Sequence, residues 1–135
     1  VQRYRARISG PLMDRIDLHV EVPVLEPDAL RRASPGEASV TVRERVEAAR
    51  ERQLERAGGA NAGLAPQGVE RHCRLTEPDS QLLTRAVEQL GLSARAYHRI
   101  LRVARTIADL AGAEAIGTQH LTEALAYRRL DRRPI

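Results

Sequence analysis

The sequence predicts a mainly α-helical bundle preceded by a single extended strand. Three observations carry that expectation. Apolar residues recur at helical spacing in three consecutive stretches of the second half, joined by short loops, which is the pattern of a compact bundle. The 135 residues include no Phe, no Trp and only three Tyr, so Leu, Ile, Val and Ala must fill the interior. That supply suits helices that approach closely. Near the N-terminus, Ile16, Leu18, Val20, Val22 and Val24 alternate with Asp17, His19, Glu21 and Pro23, the period of a half-buried strand.

Taken in order, residues 1–25 hold a basic lead-in, a turn at SGPLMDR and this strand. No second convincing strand follows. A lone strand leaves backbone donors and acceptors unpaired, so residues 1–25 are expected to be disordered, detached or paired with another chain. Residues 26–39 carry two prolines and are expected to form a linker, with a short helical turn over Asp28–Arg32. From residue 40 to 57 a helix is expected, with Ser39 as N-cap. Its apolar face, Val42, Val46, Ala49 and Leu54, is narrow, so it should pack on one side only and project from the body. Residues 58–76 are rich in glycine and are expected to form loop, with a short extended piece at Val69–Leu75.

Three helices then follow. Leu82, Leu83, Ala86, Val87 and Leu90 share one face of a helix over 79–90 that Gly91 ends. Ser93 caps the strongest helix, in which Tyr97, Ile100, Leu101, Ala104, Ile107, Ala108 and Ala111 repeat at helical spacing and Gly112 closes. Thr118 is expected to cap a last helix running to about Arg129, with Leu121, Ala124 and Leu125 inward.

Composition narrows the chemistry. The chain begins with Val1 and shows no signal-peptide pattern, so it is expected to be a fragment of a longer protein. No apolar run approaches the roughly 20 residues that span a membrane. One cysteine, Cys73, permits no internal disulfide, which fits a reducing cytoplasm. The net charge is +4, the pI is about 10.2, and all 22 basic residues are Arg. That balance permits an anionic partner such as nucleic acid or nucleotide, but on charge alone a solvated surface rich in Arg is the favoured reading, because net charge does not locate a patch. The four His are scattered without ligand spacing, so no metal site is expected. Cys73, beside Arg71, His72 and Arg74, sits where a thiol pKa could be lowered, yet no catalytic partner is identifiable.

Two arginines invite attention. Arg15 is bracketed by Asp14 and Asp17, and spacing alone favours a local ion pair at a strand start. The other reading is an Arg held on an exposed turn, whose planar fork suits a phosphate in another subunit. Arg95 lies in the first turn after the Ser93 cap, where the helix dipole disfavours a cation. Either it reaches out to water, or it meets an anion bound at the helix N-terminus.

Read together, RISGPLMDRIDLHVEVP, then LSARAYHRILRVARTIADLAG, then HLTEALAYR resemble the C-terminal end of the magnesium-chelatase-like AAA+ ATPases. Within that group the chain looks most like the competence-related ComM (YifB) subfamily. The segments VRERVEAARERQLER and CRL, and Asn61, also fit. The resemblance implies three parts: residues 1–25 as the last strand and arginine-finger turn of an ATPase core, 26–39 as linker, and 40–135 as a helical lid. It implies that Arg15 is an arginine finger acting in trans in a ring, typically a hexamer, with Asp14 as its support. Arg95 would be the sensor-2 residue that contacts nucleotide phosphates. Met13 stands where Leu is usual, a volume-conserving change. ATP and Mg2+ are the cofactors implied for the full-length parent. No Walker A loop, Walker B acid or sensor 1 is present, so no cofactor is expected on this fragment. The parent would be a DNA motor of the kind associated with natural transformation and branch migration. The alternatives are the ATPase subunit of magnesium chelatase, acting on a protein partner, and a basic helical nucleic-acid-binding module.

Overall fold

A computed structural model describes residues 9–24, 26–32 and 34–128. The expectations for residues 1–8 and for Arg129 fall outside them. Helix α1 (Gly10–Met13) is one turn long, and α2 (Pro27–Arg32) is the short helix expected in the linker. Helix α3 (Ser39–Ala57) leads through a 3-10 turn (Asn61–Gly63) to α4 (Pro66–His72). The bundle is completed by α5 (Glu77–Leu90), α6 (Ala94–Leu110) and α7 (Thr118–Ala126).

Helix α6 is the centre of the bundle. It packs against α7, α3, α4 and the 3-10 turn, while α5 lies against α7 and α3 against α4. The core joins Leu83 of α5, Ile100, Leu101, Ala104 and Ala108 of α6, and Leu121 and Ala124 of α7. The alanines are fully buried, so short side chains face one another where the α6 and α7 backbones approach. Tyr97 and Ile107 pack at its margin as expected, whereas Ala111 is exposed.

The caps mostly match the sequence. Ser93 accepts from the Ala96 amide at 3.2 Å. Gly91 (φ 61°) and Gly112 (φ 71°) adopt the left-handed conformation that ends α5 and α6, a conformation costly for any residue with a Cβ. Two expected caps shift by one residue. Ala38 precedes α3, so Ser39 is its first helical residue, and Gly117 precedes α7. Thr118 instead turns its hydroxyl to Asp79 Oδ1 at 2.7 Å. Asp79 is buried; its other oxygen accepts from the Thr76 hydroxyl at 2.9 Å. This pins the start of α5 to the start of α7.

The larger correction lies at 58–76. Most of the extended piece expected over Val69–Leu75 belongs instead to α4, opened by Pro66 at its first position. Val69 and Cys73 stand four residues apart, on one face, and both are buried in the core. Pro66 fits there because the first helical amide needs no intrahelical partner.

Helix α3 divides in two. From Ala49 onward it packs on the bundle through Ala49 and Gln53, whereas every residue from Ser39 to Ala48 is exposed. Val42 and Val46 therefore face solvent, and the helix projects as its narrow apolar face predicts. A bidentate pair between Arg45 and Glu37, at 2.5 and 2.9 Å, ties the projecting part to the preceding loop.

Candidate functional site

The turn that carries Arg15 is built locally. The Ser9 carbonyl accepts from the Leu12 and Met13 amides at 3.0 and 3.1 Å, and Ser9 Oγ accepts from Leu12 at 3.4 Å. The Arg15 amide then closes on the Leu12 carbonyl and that of Ile16 on Met13, at 3.0 and 3.1 Å. The chain therefore leaves α1 through a tight turn. Asp14 is half-buried there and Arg15 is exposed.

Beyond the turn, residues 16–24 form neither helix nor the strand expected there. They form no β-ladder among the described residues. While His19 is half-buried, exposure of the segment's apolar residues rises from 38% at Ile16 to 94% at Val24. Its first part is nevertheless attached to the bundle, so it is not detached. Arg99 Nη1 of α6 donates to Asp17 Oδ1. Arg128 Nη1, just past α7, donates to the Ile16 carbonyl. The His19 amide donates to the Tyr127 carbonyl at 2.9 Å. Asp17 is thus not the local partner of Arg15 that spacing favours; its partner is 82 residues away.

Arg95 is the second residue of α6, beyond the Ser93 cap, and is exposed. Among the described residues neither the Arg95 nor the Arg15 side chain engages a hydrogen bond or an ion pair, and Asp14 has no side-chain partner. The structure brings no two of these three into contact. It does join their segments: Arg99 lies one turn along α6 from Arg95, on the same side of the helix, and holds Asp17, two residues past Arg15. Two exposed guanidiniums without internal partners can each offer paired N–H donors to phosphate oxygens. In this respect the residues fit a nucleotide phosphate.

A second polar centre escaped the sequence reading. Asp109, in the last turn of α6, is 2% exposed. It accepts from both Nη atoms of Arg56, from Asn61 Nδ2 at 2.9 Å and from Arg105 Nε at 3.2 Å. Arg105, also buried, caps the loop after α6 by donating to the Ala113 and Glu114 carbonyls at 2.7 and 2.8 Å. Asn61 donates its amide to Gln53 Oε1 at 3.0 Å. The cluster fastens α3 and the 3-10 turn to α6. Burial raises the Asp109 carboxyl, but hydrogen bonds from Arg56 and Asn61 and the charges of Arg105 and Arg56 outweigh it, and the net shift is downward. The legible signal was Arg105 and Asp109 at i and i+4 on an apolar face, with a carboxylate at the wrong end of the helix dipole.

Cys73 is buried, and burial pushes its thiol up to about 11 despite Arg105, Arg56 and Arg102 nearby. The lowered pKa that its sequence neighbours hinted at is not found. Among the described residues no group of three or more His, Cys, Asp or Glu is placed to hold a metal, and no helix is long and apolar enough to cross a membrane.

Comparison with known proteins places this helical domain among those of the magnesium-chelatase type. The chain belongs to the magnesium chelatase, subunit ChlI C-terminal family, whose model matches residues 36–128. A second model, magnesium chelatase, subunit ChlI, matches residues 1–30. Among individual proteins, the chain is 50% identical to the competence protein ComM of Haemophilus influenzae over 98% of its length. It is 47% identical to Escherichia coli YifB over 96%, and 36% identical to a Mycobacterium tuberculosis protein over 95%. The chain spans about a quarter of these relatives, 26% of each.

Proposed function

We propose that this chain is the lid and the last core segment of a ring-forming AAA+ motor that hydrolyses ATP and works on DNA. In this reading residues 1–25 end the ATPase core, 26–39 link, and 40–135 form the lid; the gap between the two family matches supports a boundary in this region. Arg15 is the arginine finger, supported by Asp14, and acts on the phosphate held by a neighbouring subunit. Arg95 is the sensor-2 residue. The observation that carries the reading is that both guanidiniums are exposed and without partners among the described residues, although one helix ties their two segments together. ATP with Mg2+ supplies the transferable phosphoryl group and neutralises part of its charge when bound in the longer protein. The chain's contribution is to aim two cations at the charge that develops on that group.

The test uses the full-length protein. Arg15→Ala and Arg95→Ala should each lower ATP turnover by at least about a hundredfold, since a finger contributes a factor of about 10³–10⁵. Mixing Arg15→Ala subunits with subunits disabled in nucleotide binding should partly restore turnover. Hydrolysis near the wild-type rate in Arg15→Ala would remove the finger assignment. The relative named as a competence protein accords with the DNA-motor reading, for which stimulation of hydrolysis by DNA is the expected result. Both family descriptions favour a second reading, a chelatase-type ATPase subunit acting on a protein partner; hydrolysis indifferent to DNA would select it. Strong, salt-dependent DNA binding by the 135-residue chain alone would instead indicate a nucleic-acid-binding module.

A further inference from the structure

We propose that Arg99 and Arg128 are positioning residues for Arg15, clamping the chain behind it to the α6–α7 pair so that Arg15 and Arg95 move as one piece. The inference rests on the roles given above to Arg15 and Arg95, but its geometry is independent of them. Three attachments fall within four residues: Ile16 to Arg128, Asp17 to Arg99, and His19 to Tyr127. They come from α6 and from the end of α7, so the segment is held to both helices. The first attachment is one residue past Arg15 and so fixes where the backbone leaves that turn. Past His19 the exposure climbs steeply, so the clamp covers only the stretch that would steady Arg15. Arg128 is 1% exposed, and a guanidinium at such depth is held in a fixed direction by its surroundings.

The consequence is a coupling between two phosphate sites. Arg95 stands at the start of the helix whose next turn holds Asp17. A shift of α6 on its own nucleotide is therefore passed to the turn bearing Arg15, which faces the neighbouring subunit's nucleotide. Coupling of this kind needs a rigid element that both sites bias, and α6 with its clamp is such an element.

The experiment again uses the full-length protein, with Arg99→Ala, Asp17→Asn and the exchanged pair Asp17→Arg with Arg99→Asp. A misaimed finger weakens transition-state contacts while leaving ATP binding unchanged. Each single variant should lower kcat about two- to fivefold, the range expected of an exposed ion pair, with KM unaltered. The exchanged pair should recover most of the loss, and the defect should shrink at high salt. Hydrogen exchange at the His19 amide gives a readout besides activity. Protection should fall in both single variants and return in the exchanged pair. Unchanged His19 protection in Arg99→Ala overturns the clamp, whatever happens to hydrolysis. Lost protection with unchanged kcat, in a protein that Arg15→Ala does inactivate, overturns the positioning role. If Arg15→Ala has no effect on hydrolysis, the finger assignment fails and the positioning role fails with it, while the clamp is still judged by hydrogen exchange.

Discussion

Replacing Asp109 by Ala should destabilise the domain far more than the loss of a few buried atoms would suggest. Asp109 accepts from Arg56, Asn61 and Arg105. When the carboxylate is removed the two arginines behave differently. The Arg56 side chain is 22% exposed and can swing toward water, but that of Arg105 is 3% exposed. The remaining nitrogens of Arg105 are fixed on the Ala113 and Glu114 carbonyls, so its charge stays buried without a counterion. Leaving a buried charge uncompensated costs about 3–5 kcal/mol, a large part of the roughly 5–15 kcal/mol that holds a domain folded. For a chain of this size the melting temperature should fall by about 10–20 °C. Urea unfolding followed by circular dichroism should show a lower midpoint with an unchanged slope. Asp109→Asn keeps the shape but not the charge, so Arg105 again lacks its counterion and the loss should approach that of Asp109→Ala. Acid should tell the same story. The folded carboxyl titrates below its ordinary value, so its contribution is full above the unfolded pKa of about 3.9 and is lost as pH falls through the folded value. Wild type should lose this stability below about pH 4, and Asp109→Ala should lack that part of the acid transition. A loss under about 1 kcal/mol in Asp109→Ala would refute the argument, because it would mean that Arg105 finds water or another partner without cost.

Two further outcomes are expected. Leu83 is fully buried, and Leu83→Ala should cost about 2–5 kcal/mol in urea unfolding, while Leu110→Ala, at a site 42% exposed, should stay near about 0.5 kcal/mol. Cys73, its thiol pushed up to about 11, should resist alkylation at neutral pH in the folded chain and react readily in denaturant; rapid reaction of the native protein would contradict its burial.

Helices α5, α6 and α7 were legible because their apolar residues follow one period and glycines mark two of their ends. Helix α4 was not, since it is seven residues long and lies in a glycine-rich stretch. Its evidence was the pairing of Pro66 as a starter with Val69 and Cys73 one turn apart, a signal too short for periodicity to register. The alternation at residues 16–24 suggests a strand that the described residues do not form; alternation alone does not say what such a segment pairs with, and without a partner no ladder exists. Candidate chemistry divides similarly. Arg15 and Arg95 came from motif position. The partners of their segments did not, because Asp17 and Arg99 lie far apart in sequence and meet only when α6 is placed. Asp109 went unnoticed because a charged residue on a helix is usually solvated. Only tertiary packing reveals that three donors converge on it.

The projecting half of α3 gives the domain a lever. Ala49 is the first residue of that helix to enter the bundle, and it acts as the fulcrum. At 1.5 Å per residue the ten residues back to Ser39 reach roughly 15 Å. A tilt of about 10° at Ala49 therefore sweeps the tip through roughly 2.6 Å. Arg56, which holds Asp109, and Val42 lie equally far from Ala49 on opposite arms, so a tilt about that point carries an adjustment at the Arg56–Asp109 bond undiminished to the exposed tip, in the opposite direction.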